Sequence, residues 1–372
     1  MLPTPTCRFC ASTDGEIVLD LGVQPSSELF PKVSDPGPDP LFPLRMWMCA
    51  CCGLAQLADD ADVPEEVVGR EPAALLSQRR DAVWDLVNAS VLPHGGTAAE
   101  FPSPHGGTWL GMLGEHGFSA LPGTQTPADV VVDGCFGVMH ERDQGAALRE
   151  RVAAVRPGGR LVVQYHSLHA ISAGMQWNAL RLGHYAYYST PAMVAMLERC
   201  GFTVTWARRF PLYGGTVVLT AGRTVERPIV DPGAIDAVVR PELDGGVLDP
   251  ARVGRLQDSV SRTAQELRAL LVAERSAGRR VYGYAAASRA VSLLRLAELD
   301  SSLLAGVADA SPEKQDRRMP GTDIPIIPPA ELAAAKPDRV LVFVSELLAE
   351  ARAALPEVEQ AGGEWTDAGA GR

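Results

Sequence analysis

The sequence predicts an α/β protein with a small cysteine-rich N-terminal module followed by two Rossmann-like units. Two Cys-x-x-Cys pairs open the 372-residue chain, strands and helices alternate between about residues 100 and 220, and a second alternation follows a long amphipathic helix. We expect a zinc-binding module at 1–60, a helical connector at 61–95, a truncated α/β unit at 96–222 and a C-terminal α/β unit with a long leading helix at 223–372.

Charge and composition exclude several classes of protein. The chain has 34 Lys and Arg against 45 Asp and Glu, a net charge of −11, so no broad nucleic-acid surface is expected. No apolar run approaches the roughly 18 residues that cross a bilayer, and the first ten residues lack the pattern of a secretory signal. Seven cysteines are too few, and odd in number, for a disulfide framework. These features predict a cytoplasmic protein with reduced thiols and no membrane or nucleic-acid partner.

The N-terminal pairs are Cys7/Cys10 and Cys49/Cys52, and a proline-rich stretch separates them. A short, loop-rich segment of this kind cannot bury a core of its own, and two thiolate pairs complete the closed tetrahedral shell of a structural Zn²⁺. Cys51 leaves a second choice of ligand open, and reduced thiols without a metal are the other alternative. The turn after the second pair, Cys52-Gly53-Leu54, favours Cys49 and Cys52.

The remaining elements follow from hydrophobic spacing and turn residues. Valine and leucine at helical intervals predict a helix from about 62 to 92. In the central unit we expect strands at 128–132, 160–164, 202–207 and 216–220 and helices at 143–155 and 191–200. In the C-terminal unit we expect helices at 250–277 and 288–296 and strands at 280–284, 304–308 and 339–343.

Motifs at both ends of the chain carry a resemblance to a known family. They are Cys7-Arg8-Phe9-Cys10, Leu19-Asp20-Leu21-Gly22, Cys52-Gly53-Leu54-Ala55-Gln56-Leu57, Tyr282-Gly283-Tyr284-Ala285-Ala286, Pro312-Glu313-Lys314-Gln315 and Ile324-Pro325-Ile326. The chain resembles the deoxysugar C-methyltransferases, which methylate C3 of nucleotide-linked 4-keto-6-deoxy sugars with S-adenosylmethionine (SAM). The resemblance implies an enzyme of antibiotic biosynthesis with a zinc module, a central SAM-binding domain and a C-terminal domain that holds the nucleotide diphosphate.

The resemblance also implies the site residues. His140 matches a family histidine after the fourth strand, and His184 matches the last residue of a Tyr-x-Glu-His cluster whose first and third positions are here Arg181 and Gly183. We expect a catalytic set of His140, His184, Tyr185 and Arg181, with Tyr165, His166 and Tyr187 in the same cleft. For each histidine the alternative is a structural role. The residues expected to bind the substrate are Gly283, Tyr284, Arg289, Asp309, Lys314 and Gln315, and the alternative there is a plain strand-to-helix corner.

The central unit departs from the family where SAM would bind. A SAM site needs a first strand that ends in an acid, a glycine-rich loop after it, and a second strand that also ends in an acid. Here the loop reads Glu100-Phe101-Pro102-Ser103-Pro104-His105-Gly106-Gly107, and residues 117–127 lead almost directly into the next strand. Roughly 30 residues, one βαβ unit, are missing by comparison. The sequence therefore argues against SAM binding.

Three hypotheses follow from this combination. The first is an enzyme repurposed for SAM-independent acid/base chemistry, namely epimerisation, isomerisation, elimination or cyclisation, on a thymidine-diphosphate sugar or a related ketone. The second is a SAM-dependent C-methyltransferase with a divergent cofactor site. The third is a non-catalytic partner of another enzyme of the pathway.

Overall fold

The computed structural model describes residues 4–61, 71 and 73–368. Within these ranges no helix combines the length and the apolar character that crossing a bilayer requires. The expected connector helix lies partly outside the described residues. Its described part is α1, Ala73–Asn88.

The N-terminal module is an antiparallel sheet of three strands rather than a loop-rich segment. The strands are β1 (Gly15–Pro25), β2 (Leu41–Cys49) and β3 (Ala55–Leu57). The expectation of a loop-rich segment is wrong because most of the prolines fall in the connection between β1 and β2, which leaves both strands free to pair. β2 ends at Cys49, so the sheet itself fixes the position of one cysteine of the second pair.

The central unit is a six-stranded sheet in the order β5-β4-β6-β7-β10-β9. Its strands are β4 (Gly96–Glu100), β5 (Phe118–Ala120), β6 (Ala128–Asp133), β7 (Val155–His166), β9 (Phe202–Phe210) and β10 (Thr216–Arg223), while β8 (Ala186–Tyr187) joins β3 of the N-terminal sheet. β5, β4, β6 and β7 are parallel to one another, and β10 pairs antiparallel with both β7 and β9. All four expected strands are present, and β5 adds a three-residue second strand that the sequence did not predict.

Helices connect these strands, and side-chain caps begin three of them. The helices are α2 (Leu110–Gly114), α3 (Gln144–Ala153), α4 (Leu168–Ala173) and α5 (Thr190–Arg199), with short 3₁₀ helices at Gly137–His140, Trp177–Ala179, Leu212–Gly214 and Thr224–Glu226. Asp143, Ser167 and Ser189 each accept a backbone N–H from the first turn of the helix that follows. Both helices expected in this unit are confirmed.

The C-terminal unit is a parallel sheet in the order β13-β12-β11-β14-β15. Its strands are β11 (Val281–Tyr284), β12 (Val307–Ala308), β13 (Ile326–Ile327), β14 (Arg339–Val342) and β15 (Glu364–Asp367). Of the helices that follow β10, α6 (Pro232–Asp244) packs against β9 of the central sheet. The others are α7 (Pro250–Val253), α8 (Leu256–Ser276), α9 (Ser288–Leu296), α10 (Pro329–Ala335), α11 (Leu348–Ala354) and α12 (Glu357–Gln360), with 3₁₀ turns at Pro312–Lys314 and Ser345–Leu347. The expected helix at 250–277 is divided at Gly254 and Arg255, and the expected strand at 304–308 forms only at its last two residues.

The N-terminal sheet packs against both larger units. One apolar cluster joins Leu44 and Met46 of β2 to Leu267 of α8 and Leu294 of α9. A second cluster joins the cysteines and Trp47 to the central sheet. The small module therefore takes its core from its neighbours, because its own strands are too few to enclose one.

Candidate functional site

Three histidines follow three adjacent parallel strands of the central sheet. His105 lies in the loop after β4, His140 ends the 3₁₀ helix after β6, and His184 lies in the connection after β7. The carboxyl ends of parallel strands meet at one edge, and β5 and β6 lie on opposite sides of β4, so the order in which strands are added to the sheet reverses there. This edge is where open α/β sheets bind their ligands.

The three imidazole rings contact one another edge to face. Ring centroids are 4.7 Å apart for His105 and His140, 4.7 Å for His140 and His184, and 5.7 Å for His105 and His184. One nitrogen of each ring lies within 4.8 Å of the other two. The structure thus brings together the two predicted histidines and adds His105.

A buried ion pair fixes the segment that carries His140. Asp133, the last residue of β6, pairs with Arg151 at 2.6 Å, and both side chains are almost fully buried. The same carboxylate accepts the backbone N–H of Val138 at 3.2 Å, inside the 3₁₀ helix. Phe136 precedes this helix with φ of +62°, a conformation that non-glycine residues seldom adopt. The position of His140 is therefore set by the end of β6 rather than by a flexible loop.

Two arginines place positive charge beside the histidines. Burial, and after it the charge of Arg181, holds the pKa of His184 well below its ordinary value of 6.5. The pKa of His105 is also lowered, because neighbouring atoms exclude water from its ring although the residue keeps an exposed surface. Burial lowers the pKa of His166 as well, with Arg289 as the next cause. These imidazoles are accordingly neutral at pH 7.

Arg181 is held in place from several sides. Its Nη1 donates to Ser288 Oγ at the start of α9 and lies 3.5 Å from the Glu28 carboxylate. Its backbone N–H donates to the hydroxyl of Tyr187 at 3.1 Å, and that hydroxyl donates to a buried carbonyl. Tyr187 therefore positions the loop, while the guanidinium of Arg181 faces the cleft between the central and C-terminal units.

Arg289 reaches the same cleft from α9. Its guanidinium stacks 4.8 Å from the ring of Tyr213, whose ring is 6.1 Å from that of His166. Among the described residues Arg289 forms no ion pair, and burial followed by the charge of Arg181 lowers its pKa. Two neighbouring guanidinium groups, with the Glu28 carboxylate 3.5 Å from Arg181, form a site that an anion would stabilise.

An open cavity of about 490 Å³ lies next to His140. Its lining includes Arg142, Glu150 and Tyr185. The Tyr185 ring stacks with the guanidinium groups of Arg8 and Arg142, at 4.9 and 5.2 Å. Arg8 comes from the first cysteine knuckle, so the N-terminal module contributes one wall of the site.

Protein side chains occupy the loop region where the sequence comparison placed SAM. The carboxylate of Glu100 accepts hydrogen bonds from the Thr108 hydroxyl and from the Trp109 N–H. The Trp109 indole is fully buried and donates to the Gly134 carbonyl at 2.8 Å, and a Cβ atom at Gly134 would overlap it. Arg79 pairs with Glu71 over the glycines of this loop and also donates to the Thr108 carbonyl at 3.1 Å.

The predicted nucleotide-binding residues form a network of their own. The Asp309 carboxylate accepts the N–H groups of Ala286 and Ser311, and Lys314 donates to the Ala286 carbonyl at 2.7 Å. Gln315 donates to the Asp309 carbonyl at 3.2 Å. This network closes the turn after β11, and a role in substrate binding stays a prediction.

Gly283, Tyr284 and Ala285 form the end of β11 and the start of the turn that follows it. Ala285 stands where the family has glycine and adopts φ of +68°, the left-handed conformation that glycine adopts at no cost. A Cβ at Gly283 would lie 2.6 Å from Phe343 and 3.0 Å from Val307, so sheet packing already requires glycine at this position. The ring of Tyr284 packs at 5.8 Å against Trp365 of β15.

The four predicted cysteine ligands converge at the other end of the N-terminal sheet. Sγ atoms are 3.5 Å apart for Cys7 and Cys52 and 3.6 Å apart for Cys10 and Cys49. A tetrahedral Zn²⁺ with bonds of about 2.3 Å separates its sulfurs by about 3.8 Å. The cluster therefore fits zinc, whereas Cys51 is exposed and its Sγ lies 4.0 Å from the guanidinium of Arg199.

One expectation for the cleft is wrong, and one residue of the cleft was not predicted. Tyr165 was expected beside the histidines, but its hydroxyl donates to Thr190 at 2.9 Å and its ring packs on Tyr188. Adjacent residues of a strand point to opposite faces, so Tyr165 and His166 cannot share one. The residue that sequence reasoning missed is His105. Its place after the first strand of the sheet, like that of His140 after β6, was the available signal.

Comparisons with known proteins agree with this architecture. Residues 7–66 match a zinc binding domain and residues 211–367 match the C-methyltransferase C-terminal domain. The chain is 23% identical over 381 residues to the C-methyltransferase NovU of Streptomyces niveus, across 92% of this chain and 90% of that protein. These matches confirm the resemblance that the motifs predicted.

Solved structures align with part of the chain. A Burkholderia thailandensis 1,6-didemethyltoxoflavin-N1-methyltransferase is 17% identical, with 46% of this chain and 95% of that chain covered and a TM-score of 0.28. The N-methyltransferase NodS of Bradyrhizobium japonicum, in complex with S-adenosylhomocysteine, is 11% identical, with 42% and 94% covered and a TM-score of 0.31.

Proposed function

We propose that this chain, which resembles the C-methyltransferases in its zinc binding and C-terminal domains, catalyses SAM-independent acid/base chemistry on a nucleotide sugar or a related ketone. The observation that carries the proposal is the cluster of His105, His140 and His184 at the ligand-binding edge of the central sheet. His105 belongs to the loop that would otherwise approach the cofactor, and it points at the two predicted catalytic histidines.

The contacts of the cofactor loop favour SAM independence. Pro102 and Pro104 have no N–H to offer a ligand, and Glu100 is committed to Thr108 and Trp109. β5 is three residues long, and Leu121-Pro122-Gly123 after it supplies no acid for ribose hydroxyls. SAM would have to displace contacts that Glu100 already makes in this loop before it could bind here.

The cleft suits proton transfer next to a carbonyl. A neutral imidazole accepts the proton from the carbon beside the carbonyl, and the electron pair moves to the carbonyl oxygen to form an enolate. Arg181 and Arg289 supply positive charge for the enolate or for a phosphate of the substrate. Return of the proton to the other face epimerises the carbon, and its return to a different atom isomerises the substrate.

Methyl transfer from SAM is the second candidate, and the similarity to NovU favours it. Calorimetric titration of the full chain with SAM, S-adenosylhomocysteine and a thymidine-diphosphate 4-keto-6-deoxy sugar separates the two candidates. We expect heat with the sugar nucleotide alone. Micromolar binding of SAM together with a methylated product would replace the proposal by C-methyl transfer. If none of the three ligands gave a heat of binding, both candidate reactions would be refuted and a non-catalytic partner protein would be left.

Turnover is measured by deuterium uptake. In D₂O without SAM, the carbon next to the keto group should exchange its hydrogen in the presence of the protein. His184→Gln should reduce this rate at least 100-fold, the lower end of what general acid/base groups contribute. His116→Ala, a change at an exposed histidine of the same unit, is the matched control and should keep the full rate. Equal rates in His184→Gln and the control would refute the role of the cluster.

A further inference from the structure

We infer that His105, His140 and His184 together bind one late first-row divalent metal ion, a site separate from the four cysteines. One nitrogen of each ring lies within 4.8 Å of the other two. Three imidazoles on one tetrahedral ion, with bonds of about 2.1 Å, hold their nitrogens about 3.4 Å apart. The nitrogens would therefore approach one another by up to about 1.4 Å when an ion binds, the difference between 4.8 Å and about 3.4 Å.

The state of the nitrogens agrees with a ligand role. A metal ion binds an imidazole through a nitrogen lone pair that no proton occupies. His184 is almost fully buried, and its Nε2 has no hydrogen-bond partner among the described residues. A buried nitrogen without a partner is unfavourable, and a metal ion at the centre of the cluster would satisfy it.

The donor set indicates the class of ion and the kind of site. Three nitrogens without a carboxylate or a thiolate suit Zn²⁺, Co²⁺, Ni²⁺, Cu²⁺ or Fe²⁺ rather than Mg²⁺ or Ca²⁺. The cysteine cluster supplies four ligands and is closed, whereas the histidine cluster supplies three and leaves a coordination position open. A cavity that His140 helps to line lies beside the cluster.

Nearby charges determine what the ion binds. Arg181 and Arg289 contribute positive charge at His184 and oppose a bare cation. An anion on the open position, hydroxide or an oxygen of the substrate, offsets this repulsion and is attracted by both guanidinium groups. The site is therefore built for an ion together with an anionic ligand.

The inference deepens the proposed function and rests on it for its chemical role. A histidine nitrogen that ligates an ion cannot also accept the proton, so in the metal-loaded protein the ion would polarise the carbonyl oxygen and lower the pKa of bound water, which would take the place of the imidazole as the base. Binding of the ion does not depend on that role, so metal analysis and deuterium uptake fail independently of each other.

The test is a metal analysis of the full chain. Protein dialysed against Zn²⁺ and then freed of loosely bound ions should hold two Zn²⁺ per chain, and His105→Ala should hold one. The affinity for the second ion should fall by more than about 10-fold to 100-fold in this variant. Losing a residue that only hydrogen-bonds to a metal ligand already costs about that much, and His105 is a ligand itself. His116→Ala should hold two.

X-ray absorption at the zinc edge gives a second readout, the identity of the atoms that neighbour the zinc. Wild type should show nitrogen and sulfur neighbours, and His105→Ala should show sulfur alone. One ion per chain with only sulfur neighbours in wild type would overturn the inference, as would a second nitrogen-bound ion retained in full by His105→Ala. Two ions without deuterium uptake would confirm the site and refute the proposed function. Deuterium uptake by a protein that holds one sulfur-bound ion would support the proposed function and refute the second metal site.

Discussion

The adjacent residues Cys51 and Cys52 offer a direct test of the zinc site. Cys52 is buried with its Sγ 3.5 Å from that of Cys7, whereas Cys51 is exposed. A structural zinc ion contributes roughly 10–16 kcal/mol of binding free energy in zinc-finger peptides, or about 3 kcal/mol for each of four ligands. Cys52→Ser should therefore destabilise the protein by about 3 kcal/mol, while Cys51→Ser should change its stability by no more than about 0.5 kcal/mol.

The loss should spread beyond the N-terminal module. Cys52 lies in the same apolar cluster as Leu54 and as Leu161 of the central sheet, so loosening the knuckle exposes part of that core. The assay is zinc content per chain together with denaturant unfolding of wild type and both serine variants. Zinc loss from Cys51→Ser, or full zinc and full stability in Cys52→Ser, would refute the assignment and make Cys51 the ligand.

Three further predictions concern the support of the site. Arg151→Met should lower the free energy of unfolding by about 3–5 kcal/mol, because it leaves Asp133 buried without its partner; a loss below 1 kcal/mol in denaturant unfolding would contradict this. Gly134→Ala should cost about 1–3 kcal/mol, since its methyl group would overlap the Trp109 indole, and an unchanged melting temperature would argue against that packing. His166 stays neutral in the folded protein below pH 6.5 while the unfolded chain takes up a proton, so stability falls as the pH falls. His166→Gln should remove about 1.4 kcal/mol per pH unit of this dependence, and an identical pH profile of unfolding would count against it.

The loop after β4 contributes a side chain to the histidine cluster. The prolines of the loop after β4 remove N–H donors, yet the same loop brings His105 against His140. Arg181 replaces a family tyrosine and reaches across to Ser288 of the C-terminal unit. The substitutions therefore introduce new contacts in the cleft rather than only removing old ones.

Much of the architecture follows from local sequence patterns. Period-two and period-3.6 hydrophobicity located most of the strands and helices of both α/β units, because burial on one face imposes those periods. The cysteine spacing predicted the cluster that fits zinc, and the family pattern located His140 and His184. The two long strands of the N-terminal sheet were missed because the proline content suggested loops, although the prolines lie mostly between the strands.

Tertiary structure alone decided which distant residues meet. The sequence by itself determined the fold class, the cysteine pairs and two of the three histidines. The order of β4, β6 and β7 in the sheet placed His105 beside the other two, and the packing of α9 brought Arg289 to Tyr213. The tertiary structure also leaves Cys51 exposed, outside the four-cysteine cluster to which Cys52 belongs. These contacts join segments far apart in the chain, and no local period or propensity encodes them, because they depend on how sheets and helices pack in three dimensions.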